Sequence, residues 1–305
     1  MSFWGELREE WRRKVGELDG SLDGKVAIVT GTSRGVGVGI AHELLRAGAT
    51  VIGCSRSALD AMPGTENNSD WARRSDQMVC DQADYTAIDT FVQKVVDRHG
   101  RLDILVNNAG GTVPSPSVDE VPALVSRIQG APASDDDYER SALFHAFAVQ
   151  MNLISPLWFA IRAYRQMKTQ TGVGCIINVS SGAGHPAGSP TLVSYGAAKA
   201  GLNQMTRSLA QEWGPAVRVN CVALGPTITE NFRSFVLPKD DPTGTEYFAN
   251  IPLRRGGEPD EVGRTCVFLA SGTADFINGT TIEIDGGMLP GVLYDAGLKT
   301  ITDLL

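Results

Sequence analysis

The chain is poor in the residue patterns that metal sites, disulfide frameworks and nucleic-acid surfaces require. Its four histidines, His42, His99, His145 and His185, are not spaced as metal ligands, so no catalytic metal is expected. The five cysteines, Cys54, Cys80, Cys175, Cys221 and Cys266, are odd in number, contain no C-x-x-C pair and lie mostly inside apolar runs. That pattern argues against a disulfide scaffold or a zinc site and for reduced packing residues. There is no basic excess: the net charge is −8, which argues against nucleic acid as a partner, because phosphate binding needs a basic surface. No apolar run approaches the ~20 residues of a membrane span. The N-terminus lacks the apolar core of a secretory signal, so a cytoplasmic protein is expected. Internal repeats and an obvious linker are also missing.

What is present is enough apolar material for a large core, 42% of 305 residues, arranged as alternating strand-like and helix-like segments. Residues 1–21 form an N-terminal extension in which Trp4, Leu7, Trp11, Val15 and Leu18 share one helical face. That face packs on its own domain or a partner subunit, or else lies on a membrane surface; the mixed charges between favour packing. From Lys25 to Ile284 strands alternate with helices, which reads as α/β: a single doubly wound Rossmann-type parallel sheet with helices on both faces, spanning 22–287. The expected strands are Lys25–Thr30, Thr50–Cys54, Gln77–Cys80, Leu102–Val106, Ile176–Ser181, Val217–Val222 and Thr280–Ile284. Helices are expected at Val38–Arg46, Tyr85–His99, Tyr138–Lys168, Tyr195–Trp213 and Glu261–Ala270. The turn formers at 63–69 leave room only for a short or irregular helix between the second and third strands. Two proline-rich stretches, 112–137 and 226–258, read as long functional or mobile loops, and 288–305 as a C-terminal tail.

Several segments carry chemistry. Gly31-Thr-Ser-Arg-Gly35-Val-Gly37 follows a buried strand and opens a helix, the context in which a glycine-rich turn meets a pyrophosphate. The second strand ends in Ser55 and Arg56, with no acid before Asp60. An acid there would take a ribose 2′-hydroxyl, whereas a pair of guanidiniums, Arg34 and Arg56, suits a 2′-phosphate. NADP(H) is therefore expected ahead of NAD(H). Asn152 sits in an apolar context and needs partners if buried. Tyr195 and Lys199, at i and i+4 of a helix, bring an ammonium close to a phenol that ordinarily titrates near ~10, and a cation lowers that value.

Together these residues resemble the classical short-chain dehydrogenase/reductase family over roughly Leu22 to Gly287. The family's T-G-x-x-x-G-x-G falls on Thr30, Gly31, Gly35 and Gly37, its acid after the third strand on Asp81, and its N-N-A-G on Asn107 to Gly110. The resemblance implies catalytic roles for Ser181, Tyr195, Lys199 and Asn152. It also implies a cofactor held along Gly31, Ser33, Arg34, Gly35, Val36 and Gly37, by Ser55 and Arg56, by Asp81 and Gln82, and by Asn108, Ala109 and Gly110. Tyr195, Lys199, Gly225, Thr227 and Thr229 complete that set. Two departures are visible. Ser181 lies one residue further from the tyrosine than the family's spacing, which places an extra residue in the 182–194 loop and keeps Ser180 as an alternative. Leu224-Gly225 replaces the family's Pro-Gly.

The implied activity is NADP(H)-dependent interconversion of a ketone or aldehyde with an alcohol on a mostly apolar small molecule, in a homo-oligomer, tetramer or dimer. An enoyl-thioester reductase and a catalytically inactive cofactor-binding sensor or scaffold are the alternatives. Pocket walls are expected from Gly111–Val113, Gly182–Val193 and Thr227–Ile251, with His185 either touching substrate or facing solvent.

Overall fold

The computed structural model describes residues 20–111, 136–186, 192–237 and 240–288. The expected N-terminal helix, nearly all of the 112–137 loop, the wall segment 187–191 and the tail from 289 onward lie outside them. Seven parallel strands form one sheet in the order β3-β2-β1-β4-β5-β6-β7. They are β1 (Val26–Thr30), β2 (Thr50–Ser55), β3 (Ser75–Val79), β4 (Ile104–Asn107), β5 (Gly174–Ser181), β6 (Val217–Leu224) and β7 (Thr281–Ile284). The doubly wound Rossmann-type fold is thus borne out. Strand order reverses at β1, whose neighbours are β2 and β4, so the crevice for a ligand opens beyond the carboxyl ends of β1 and β4.

The central strands read as unbroken apolar runs because both faces are covered. Ala27 and Val29 point into one core with Ile40, Leu44 and Leu45 of α1 (Val36–Arg46) and with Val262 and Cys266 of a helix late in the chain, Pro259–Ala270. Val26 and Ile28 point into the other core, with Ile88, Phe91 and Val95 from Tyr85–His99, Phe159 and Ala163 from Ser155–Met167, and Trp213. Phe91 and Phe159 meet edge to face at 6.1 Å, a geometry contributing about 0.5–1.5 kcal/mol beyond the area it buries. In chain order the helices after α1 are α2 (Ser69–Arg74), α3 (Tyr85–His99), α4 (Asp136–Val149), α5 (Ser155–Met167), α6 (Val193–Trp213), α7 (Glu230–Phe235) and α8 (Pro259–Ala270). The short α2 agrees with the turn-rich 63–69 segment.

The structure differs from the sequence reading at the starts of β4, Ile104 rather than Leu102, and β5, Gly174 rather than Ile176, and in three further features. β3 begins two residues earlier, at Ser75, because it is an edge strand: pairing with Val51 to Ser55 on one side only leaves it half exposed, so polar residues are tolerated. β6 runs on to Leu224, which pairs with Ser181 and Ile284. The helix expected over Tyr138–Lys168 starts at Asp136, which shortens the loop before it, and is broken by a π-helical turn at Gln150–Ile154. The stretch Ala142–Met167 has the length and mean hydropathy (1.3) to cross a membrane on composition alone. No single apolar run marks it in the sequence, because Gln150, Asn152, Arg162 and Arg165 interrupt it. Here it packs as the core helix pair α4–α5 against β4, β5 and α6.

Candidate active site

The glycine-rich turn is built into the crevice by contacts that side chains would obstruct. A Cβ on Gly37 would stand 2.1 Å from the Gly31 carbonyl oxygen, and Gly35 holds φ +64°, a left-handed conformation costly for other residues. Gly35 caps α1 without a side-chain hydrogen bond, so the first N–H groups of that helix are open to an anion. Thr30 ties the turn to β4: its Oγ1 accepts from the Asn108 and Ala109 amides at 3.0 and 2.8 Å, while Asn108 Nδ2 donates to the Thr30 carbonyl at 2.8 Å. Asn108 and Ala109 therefore join the carboxyl ends of β1 and β4, and Gly110 lies exposed beyond them.

At the adenosine end, buried Thr32 donates to Gln77 Oε1 at 2.7 Å, and Gln77 Nε2 donates to Ser55 Oγ at 3.1 Å. Gln77 thus fixes both the turn and the end of β2; its place on a polar edge strand hid it from the sequence reading. Ser33, Arg34 and Arg56 are exposed, and Val36 is partly buried against the α1 core. Neither arginine has an ion pair or hydrogen bond to a described residue. Asp81 is exposed and accepts from the Ala83 amide at 3.0 Å, whereas Gln82 is buried with its Nε2 3.8 Å from Met151 Sδ.

β5 delivers the serines. Ser180 is buried and donates to the Lys199 carbonyl at 3.2 Å, so its hydroxyl belongs to the strand–helix packing. Half-buried Ser181 accepts from the Ala183 amide at 3.2 Å, capping a single 3₁₀ turn, Gly182–Gly184. Gly184 packs against the backbone of Lys199 and Ala200, where a Cβ would come within 2.8 Å. His185 follows, half-buried, its amide donating to the Gly182 carbonyl at 3.0 Å. Met288, the first residue of the tail, reaches Gly182 with its methyl.

α6 places Tyr195 and Lys199 one turn apart, with the Lys199 ammonium 5.6 Å from the Tyr195 ring centroid. Lys199 is 4% exposed and donates to the Val179 carbonyl at 2.8 Å. Burial pushes its ammonium down to about 8, against an ordinary 10.5. Asn152, fully buried in the π-helical turn, accepts from the Gly111 amide at 2.9 Å and donates to the Gly111 and Ala148 carbonyls at 3.0 and 2.9 Å. It clamps the backbone just beyond β4, which answers the partner requirement raised by its apolar context. Behind the site runs a buried amide chain: Asn107 Nδ2 donates to Asn178 Oδ1, Asn178 Nδ2 to Thr206 Oγ1, and Thr206 Oγ1 to the Leu202 carbonyl, each at 2.9 Å. It links β4, β5 and α6. His145 Nδ1 lies 2.8 Å from Ser194 Oγ, the residue before Tyr195, another contact between distant segments that carries no local signal.

The Leu224-Gly225 turn is tied to the end of β7. Gly225 donates to the Ile284 carbonyl at 3.0 Å, and a Cβ on it would press on the Asp285 backbone at 2.7 Å. Thr227 donates to the Gly225 carbonyl at 3.2 Å and Thr229 caps α7 by accepting from the Phe232 amide at 3.1 Å, so both hydroxyls are engaged within the chain. The Thr229 methyl faces Gly35, 3.3 Å from where its Cβ would stand, which narrows the crevice over the glycine-rich turn.

An open helix N-terminus, a cleft kept clear of side chains and two arginines at its far end without a partner among the described residues suit a phosphate-bearing dinucleotide. Residues 31–289 match a family model described as Enoyl-(Acyl carrier protein) reductase. Among curated relatives, the chain is 34% identical to 3-oxoacyl-[acyl-carrier-protein] reductase FabG of Chlamydia pneumoniae over 278 residues, covering 89% of this chain and 99% of that one. It is 31% identical to 2-dehydro-3-deoxy-D-gluconate 5-dehydrogenase of Escherichia coli (strain K12), covering 88% and 97%. A crystal structure from Sinorhizobium meliloti 1021, described as a short-chain alcohol dehydrogenase, superposes with a TM-score of 0.71 at 32% identity, covering 88% and 97%. The chain belongs to the short-chain dehydrogenase/reductase family.

Proposed function

We propose that this oxidoreductase interconverts a ketone or aldehyde with an alcohol on a mostly apolar small molecule, with NADP(H) preferred, through Ser181, Tyr195, Lys199 and Asn152. Family membership implies a nicotinamide cofactor; when bound, it supplies or takes up the hydride. The observation that carries the reading is the buried Lys199 ammonium 5.6 Å from the Tyr195 ring. In reduction, the Tyr195 hydroxyl hands its proton to the carbonyl oxygen of the substrate. The ammonium favours the negative charge left on the tyrosine oxygen, acting through a buried, low-dielectric path. Ser181 orients the carbonyl by donating a hydrogen bond and stabilises the developing alkoxide. Lys199 also holds ribose hydroxyls, and Asn152 orders the water through which the proton is replaced from solvent. Oxidation reverses each step. Arg34 and Arg56, without counterions among the described residues, favour a 2′-phosphate and hence NADP(H).

The relatives named above act, by their names, on a 3-oxoacyl carrier-protein thioester and on a keto sugar acid, both carbonyl/alcohol substrates. The description of the matching family model favours a second reading, reduction of an enoyl thioester. Incubation of NADPH with a ketone panel and an enoyl-CoA panel separates the two. A homo-oligomer in the cytoplasm belongs to the same proposal; the exposed Leu143, Phe147 and Trp158 on α4 and α5 offer apolar surface for a second copy. The direct test is Tyr195→Phe. Turnover is expected to fall by at least about a hundredfold, the usual contribution of a positioned acid, with cofactor affinity nearly unchanged. Near-normal activity would sink the assignment.

A further inference from the structure

Between α7 and the turn before α8 lies an open-mouthed pocket of about 460 Å³, within the range of small-molecule sites. It sits in a lobe with its own small core, Leu237, Phe248 and Ile251, against which Ile228 and Phe232 pack. None of Ser181, Tyr195, Lys199 or Asn152 lines it.

Its charge is unlike that of the chain around it. In a protein of net charge −8, three arginines, Arg233, Arg254 and Arg255, line one concavity. Arg255 is neutralised by a bidentate pair with Glu261 at 2.7 and 2.6 Å. Arg233 and Arg254 have no ion pair or hydrogen bond from their guanidiniums to a described residue. The one carboxylate in the lining, Glu258, stands at the N-cap of α8, where its charge acts on Arg255. The nearby Asp241 is turned into its own loop, accepting from Thr243 Oγ1 and the Glu246 amide at 2.9 and 2.8 Å.

Arg254 is also the one non-glycine residue with positive φ among the described residues, +53°. A left-handed arginine costs on the order of 1 kcal/mol, a strain glycine would relieve. Retaining a charged side chain there keeps a guanidinium at the pocket rim. We infer that this pocket binds a small organic oxyanion, a carboxylate or a phosphate ester, held by Arg233 and Arg254 with its body against Ile228 and Phe248. Guanidinium forks match such groups in pairs.

The site has a route to the crevice. Ile228 forms part of the pocket wall, and its neighbour Thr229 abuts the glycine-rich turn. An anion joining Arg233 on α7 to Arg254 clamps the 226–229 segment from behind, so cofactor is expected to bind more tightly when the pocket is filled.

Calorimetric titration with inorganic phosphate and, separately, malonate tests this on the whole protein at constant ionic strength with NADPH saturating, so that the cofactor's own phosphate sites are occupied. Saturable binding of at least one anion is expected, weakened about tenfold or more in both Arg233→Gln and Arg254→Gly. Arg254→Gly removes the strain, so its thermal midpoint is expected to hold or rise, separating lost binding from lost fold. A preference for phosphate or malonate tells the two anion classes apart. Absence of saturable binding overturns the inference, as does unchanged affinity in both variants.

Discussion

Lys199→Met gives the sharpest test of the catalytic assignment, because it sets stability against activity. The ammonium is buried and pushed down to about 8, mainly by loss of hydration. The drop from 10.5, about 2.5 pH units at about 1.4 kcal/mol each, bounds the cost of burying the charge near ~3 kcal/mol. The sign follows from proton counting. Below about pH 8 folded and unfolded chains both carry the proton, and the cost is present in full. Between about 8 and 10.5 the unfolded chain binds the proton and the folded one does not, so wild-type stability rises with pH. Methionine removes the charge but forfeits the hydrogen bond to the Val179 carbonyl, about 1–1.5 kcal/mol. Near neutral pH the variant is therefore expected to be more stable by about 1–2 kcal/mol, an advantage that disappears toward pH ~10 while turnover collapses. Urea unfolding of both proteins at two pH values, followed by tryptophan fluorescence, measures this difference, and other titrating groups cancel in the comparison. A variant less stable near neutral pH, with a gap unaltered by pH, would refute the reasoning.

Two further outcomes are expected. Arg56→Asp is expected to weaken NADP(H) by about ten- to a hundredfold, the value of a charge-assisted contact, with little loss for NAD(H); fluorescence titration of both cofactors checks it, and an unchanged preference counts against the arginine clamp. Asn178→Ala breaks two of the three links of the buried amide chain, leaving Asn107 and Thr206 short of partners. A loss of about 3 kcal/mol is expected in denaturant unfolding, and a loss below about 1 kcal/mol would show that the chain contributes little.

Recognition of the fold from sequence rested on continuous apolar strands at Val26–Thr30 and Val217–Leu224, where burial on both faces removes polar alternation. Its strand starts were off by two residues at the edge strand β3 and equally at the central β4 and β5, and it missed the π-helical turn at Gln150–Ile154, where an extra residue per turn leaves no mark on periodicity. The Tyr195–Lys199 pair was legible because a single helical turn sets its spacing. Gln77 to Thr32, His145 to Ser194, and Asn107 through Asn178 to Thr206 were not, because each joins residues more than 25 positions apart.

Local chemistry in the chain itself thus determined the family, the glycine-rich turn, the Tyr-x-x-x-Lys pair and the missing acid after β2, since each is a short-range pattern. Tertiary structure decided what depends on environment. Packing turned Ser180 inward and left Ser181 half-buried at the end of β5, stripped the water from Lys199, and gathered Arg233 and Arg254 around one pocket. Desolvation and long-range juxtaposition are properties of the folded chain, and no spacing rule encodes them.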